Sequence, residues 1–73
     1  MIDLFSIYEN PTDFPGRFVV RRWIAKGRRL FVEARPTAVT DTLDAARAAV
    51  PPGRVLCPRD ANEQAVALVE TWL

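Results

Sequence analysis

The chain predicts an α+β domain: a small antiparallel sheet in the order β-β-β-α-β-β, with one helix packed on one face. Three observations carry this expectation. Residues 17–35 alternate β-branched and aromatic residues with arginines on both sides of Gly27, the pattern of a hairpin. Residues 42–50 are rich in alanine and run into Pro51-Pro52-Gly53, the pattern of a short helix with a hard stop. The length of 73 residues makes one domain, 1–73, with a modest core and a thin stability margin.

Taken in order, Met1–Tyr8 reads as a strand rich in Ile, Leu, Phe and Tyr. Residues 9–16 form a loop, in which Asn10-Pro11 suits the start of a type I turn and Pro15-Gly16 the centre of a type II turn. In Arg17–Ala25, Phe18, Val20, Arg22 and Ile24 share one face and Val19, Arg21 and Trp23 the other. Arg28–Ala34 continues the alternation, with Leu30, Val32 and Ala34 opposed to Arg29, Phe31 and Glu33.

A three-residue loop, Ala25-Lys26-Gly27, places glycine where a left-handed residue is wanted. That register sets Arg22 against Leu30, Val20 against Val32 and Trp23 against Arg29. A two-residue Lys26-Gly27 turn mixes the faces, so the first register is favoured for gathering aliphatic residues on one side.

Thr42 or Asp41 caps the helix, Asp44 sits in its first turn, and Leu43, Ala46 and Val50 form its apolar stripe. Arg54–Cys57 reads as a short strand closed by Pro58. The last segment reads both ways. Asp60 and Glu63 resemble a capping box, with Ala65, Leu68 and Trp72 at helical spacing. Val66–Leu73 also reads as a strand, and Val, Thr and Trp near the end favour that reading. The expected core is Leu4, Phe18, Val20, Ile24, Leu30, Val32, Leu43, Ala46, Val50 and Val55.

Composition narrows the chemistry. There is one cysteine, Cys57, and no histidine. A zinc site needs about four N/S ligands, and a Ser-His-Asp or Cys-His nucleophile needs its imidazole, so both are excluded. A single thiol fits a reducing compartment. The N-terminus MIDLFSIYEN lacks the basic region and apolar run of a secretory signal. No segment approaches the roughly 20 apolar residues of a membrane span. A cytoplasmic protein without a membrane partner is expected.

The net charge of +1 hides a segregation. Residues 17–35 hold Arg17, Arg21, Arg22, Lys26, Arg28, Arg29 and Arg35 against Glu33, 7 − 1 = +6. The rest holds Arg47, Arg54 and Arg59 against eight acidic residues, 3 − 8 = −5. Charge sorted in this way is a statement about partners.

Tyr8-x-x-Pro11-x-Asp13-Phe14-Pro15, Phe18-Val-Val-Arg-Arg-Trp23, Leu43-x-x-Ala46-Arg47-Ala-Ala-Val50-Pro51-Pro52-Gly53 and Val69-Glu-Thr-Trp-Leu73 resemble small uncharacterised proteins of bacteria and their phages. The resemblance covers nearly the whole chain. It implies a phage or prophage origin and an extended C-terminal tail, and it supplies no activity, ligand or catalytic residue.

No catalytic signature and no cofactor motif stand out, so a non-enzymatic protein is expected, with a small enzyme as the remote alternative. The carboxylate pairs Asp41/Asp44 and Asp60/Glu63 sit at helix starts, where capping explains them. Cys57 in an apolar strand reads as an inert, buried thiol. Trp72 reads as core, and Phe14 as tucked under the sheet.

Trp23 is different. In the favoured register it shares the outer face with Arg21, Arg29 and Phe31, a basic and aromatic patch suited to binding. These four residues are the candidate partner-binding site. An acidic protein surface is the leading partner, nucleic acid the second, and a homodimer, with two such sheets covering each other or pairing edges, the third. The near-neutral whole chain weighs against nucleic acid.

Overall fold

The computed structural model describes residues 2–58 and 67–73. Its elements are β1 (Ile2–Glu9), β2 (Phe18–Lys26), β3 (Arg29–Val32), β4 (Ala38–Thr40), α1 (Leu43–Ala49), β5 (Leu56–Pro58) and β6 (Leu68–Trp72). The six strands form one antiparallel sheet in the order β3-β2-β1-β6-β5, with β4 also paired to β2. The helix lies on one face. The α+β expectation holds, with β4 as an added strand. Val39 and Thr40 supply its β-branched residues just after Pro36, which reads as a break in the sequence.

The long pairing of β1 with β2, from Ile2↔Ala25 to Glu9↔Phe18, organises the sheet. The loop between them follows the expected chemistry. Arg17 N donates to Phe14 O at 3.3 Å, and Gly16 has φ +74°, the left-handed residue of a type II turn. Gly16 N also donates to Asn10 Oδ1 at 2.7 Å, tying the loop across its base.

The hairpin register differs from the sequence reading. Lys26 pairs with Arg29, Ala25 with Leu30, Ile24 with Phe31 and Trp23 with Val32. The loop is the two-residue Gly27-Arg28, with φ +62° at Gly27 and no positive φ at Arg28, the arrangement of a type II′ turn. Trp23 thus meets Val32 rather than Arg29, an odd shift of three, and an odd shift exchanges the faces. The cause is non-local. β4 occupies Phe18–Val20 on the same edge of β2, so β3 is confined to Trp23–Lys26.

Phe5, Ile7, Val20 and Ala46 form the main buried cluster, packed by Phe18, Ala38, Leu43, Ala49, Val50, Val69 and Trp72, and Val19 is also buried. Val20 and Ala46 are buried as expected, and Phe18, Leu43 and Val50 half-buried. Leu30, Val32 and Val55 are corrections, because all three are exposed. Leu4 and Ile24 are half-buried outside that cluster. Leu4 pairs with Trp23 and so lies on the face away from Phe5 and the helix. Phe5 and Ile7 take its place because β1 lies mid-sheet beneath the helix.

The helix begins where Thr42 accepts a hydrogen bond from Ala45 N at 3.1 Å. It ends at Val50, whose extended conformation, φ −76° and ψ 133°, is the one imposed on a residue before proline. The C-terminal segment is a strand over Leu68–Trp72, locked by reciprocal Val55 and Leu73 backbone bonds of 2.9 Å. The capping-box reading of Asp60 and Glu63, with Ala65 and Val66, falls outside the described residues. Among the described residues, no helix is long and apolar enough to cross a membrane.

Candidate functional site

The register decides where the four predicted site residues go. Arg21 and Trp23 point away from the helix, on the face shared with Leu4 and Val32. Arg29 and Phe31 pair with Lys26 and Ile24 and therefore lie on the other face. The four residues expected to form one patch are split across the sheet. Arg21 is also committed, since its Nη2 donates to Asp13 Oδ2 from the β1–β2 loop. Trp23 is half-buried, and the arginine-on-ring contact among the described residues is that of Arg54, 4.8 Å from the Phe5 ring centre.

Ion pairs sort the remaining charge. Arg17 binds Asp41, and Arg22 binds Asp3 at 2.9 Å with Glu33 at 3.7 Å. Arg54 also holds Asp3, at 2.7 Å. Hydrogen bonds from Arg54 and then Arg22 keep the Asp3 carboxyl below its ordinary range, against the opposing effect of burial. Among the described residues, Lys26, Arg28, Arg29 and Arg35 have no ion-pair partner. Three of them surround the Gly27-Arg28 turn. The excess charge of the hairpin is therefore concentrated at its tip.

Next to that tip lies an apolar strand in water. Leu30, Phe31 and Val32 are 56%, 48% and 43% exposed. Glu33 N donates to Arg22 O at 3.0 Å, which places odd-numbered backbone groups toward β2. Ladder alternation then turns the N–H and C=O of Leu30 and Val32 to the open edge. The candidate site is thus an edge rather than a face: Lys26, Arg28 and Arg29 at one end, and Leu30, Phe31 and Val32 along it. Arg29 and Phe31 belong to it; Arg21 and Trp23 stand behind it. Sequence reading missed Leu30 and Val32 because alternation marked them as core.

No protein-family model, curated protein or solved structure matches this chain.

A second feature is a cleft of about 220 Å³ between the Val50–Gly53 turn, Arg47, Arg54 and Trp72. Its charged groups are already satisfied. Arg47 Nε and Nη2 donate to Glu70, Trp72 Nε1 donates to Glu70 Oε2 at 2.7 Å, and Arg54 is held by Asp3. Hydrogen bonding from Arg47 holds the Glu70 carboxyl below its ordinary range; burial opposes this and Trp72 reinforces it. This arrangement braces the helix against the sheet.

The other candidates resolve simply. Thr42, flanked by Asp41 and Asp44, is the cap, and Asp41 faces Arg17. Cys57 is half-buried rather than buried, and Phe14 is half-buried.

Proposed function

We propose that this chain is a small, non-enzymatic binding protein of phage or prophage type, acting in the cytoplasm on another macromolecule through its basic hairpin. One observation carries the reading: Lys26, Arg28 and Arg29, without ion-pair partners among the described residues, border the exposed Leu30, Phe31 and Val32. Exposed apolar groups rimmed by cations suit a partner that contributes both an apolar contact and negative charge. An acidic protein surface has that chemistry. Arginine and aromatic groups are also the residue types most often carrying interface affinity.

A second reading is nucleic-acid binding. It draws on Phe31, which shares a face with Arg29 and is exposed enough to stack a base beside a neutralised phosphate.

One experiment separates the two. The tagged protein is used to capture partners from host lysate with and without nuclease, alongside a variant carrying Lys26→Glu, Arg28→Glu and Arg29→Glu. A protein captured despite nuclease, and lost by the folded variant, supports the first reading. Oligonucleotide binding that weakens steeply with salt, with no nuclease-resistant capture, replaces it with the second.

A further inference from the structure

We propose that the open edge of β3 accepts an acidic, extended segment of a partner protein as an added antiparallel strand. This rests on the reading of the hairpin as the contact region and specifies the partner's chemistry. The N–H and C=O groups of Leu30 and Val32 face away from β2, and their exposed side chains lie along an edge that no strand among the described residues pairs. Such an edge is a template for another strand, and main-chain bonds supply part of the affinity. The strand at the opposite edge, β5, ends in Pro58, which has no N–H to donate. β3 contains no proline.

Charge selects the occupant. Residues 26–35 carry Lys26, Arg28, Arg29 and Arg35 against Glu33, 4 − 1 = +3. Pairing two copies edge to edge can align Arg29 with Glu33 of the second chain, but it sets +3 against +3 along a four-residue seam. Such a seam is far short of the roughly 1,200 Å² that a stable dimer buries. An acidic strand meets the same cations with opposite charge.

The pleat adds a pattern. Lys26, Arg29 and Phe31 share one face; Leu30 and Val32 share the other with Trp23 and Ala25. The fitting segment therefore alternates, carboxylates on the first face and apolar side chains on the second. In an antiparallel pair the apolar residues opposite Leu30 and Val32 donate and accept the edge bonds.

The test uses the full chain and a peptide of about ten residues that alternates glutamate and valine, a length within the usual strand range. Amide exchange is followed residue by residue, and dissociation constants are measured for two N-methylated versions. The expected result is slowed exchange at Leu30 and Val32, with binding about tenfold weaker when the valine amides are methylated and little changed when the glutamate amides are.

Equal binding by both methylated peptides, or unaltered exchange at Leu30 and Val32, overturns the added strand. A lysine–valine peptide that binds as well overturns the charge selection. A peptide-free dimer already protected at Leu30 and Val32 assigns the edge to a second copy and likewise overturns the proposal. If these amides stay unprotected while the reversal of Lys26, Arg28 and Arg29 still abolishes partner capture, the added strand falls and the hairpin reading stands.

Discussion

Arg47 on α1 grips Glu70 on β6 from 23 residues away in sequence: Nη2 donates to Oε1 at 2.8 Å and Nε to Oε2 at 3.1 Å. The pair is asymmetric. The Glu70 side chain is 5% exposed and that of Arg47 is 44% exposed. Removing Arg47 strands a carboxylate away from water, whereas removing the Glu70 charge leaves a guanidinium that water can reach. Arg47→Met is therefore expected to lower the melting temperature more than Glu70→Gln does. Thermal melts of both variants at neutral pH decide this; the reverse order would refute the asymmetry.

The same pair and the Asp3 cluster make stability fall in acid. Both carboxyls titrate below their ordinary values of 4.5 for Glu70 and 3.8 for Asp3. A depressed folded-state value means that the unfolded chain takes up the proton first. The stabilisation is therefore complete above about pH 5 and is lost as pH drops through these ordinary values toward the folded ones. Urea midpoints measured from pH 7 to pH 3 should decline below about pH 5, and the decline should flatten in a variant with Asp3→Asn and Glu70→Gln. A wild-type midpoint that stays constant to pH 3 would contradict this.

Ile7 and Leu30 separate core from edge. Ile7 is fully buried, so Ile7→Ala should cost about 2–5 kcal/mol, enough to unfold much of a small domain. Leu43, half-buried against the same cluster, should cost about 2 kcal/mol as alanine. Leu30→Ala, at the exposed edge, should change stability by less than about 0.5 kcal/mol. Chemical denaturation of the three variants provides the ranking, and a large loss from Leu30→Ala would restore the register in which that residue is core.

Gly27 is required by its backbone. A Cβ there meets nothing within 4 Å, yet φ is +62°, which an L-residue adopts at a cost. Gly27→Ala should destabilise by about 1–2 kcal/mol without any clash. Chemical synthesis with D-alanine at this position should recover the loss, because the D-isomer favours positive φ. Equal denaturation midpoints for the two alanine isomers would rule out the turn.

Arg21 and Arg29 should behave differently when reversed. Arg21→Glu breaks the contact with Asp13 and sets two carboxylates together, so a melt should reveal a loss of up to about 1 kcal/mol. Arg29→Glu breaks no ion pair seen among the described residues and should leave the melt unchanged while weakening partner binding. If only Arg21→Glu weakened binding in a folded protein, the contact surface would be the face of Trp23 and not the β3 edge.

Local chemistry, read residue by residue, settles several of these elements. Alternation in residues 18–26 makes a strand in almost any packing. Thr42 and the Pro51-Pro52-Gly53 stop bound the helix through caps and forbidden backbone angles, and Pro15-Gly16 makes its own type II turn. The cluster of cations around Gly27 was equally legible, because charge is read residue by residue. Which side of the hairpin faces the helix is set by long-range packing instead. A period of two marks two faces without saying which is inner, and one glycine serves a two-residue or a three-residue loop equally well. The choice fell to β4 taking the Phe18–Val20 edge and to Asp3, Asp13 and Asp41 drawing in Arg22, Arg21 and Arg17. All of these contacts but Arg21–Asp13 join residues far apart in the chain, so pairing and packing moved Leu30 and Val32 from the expected core to an open edge.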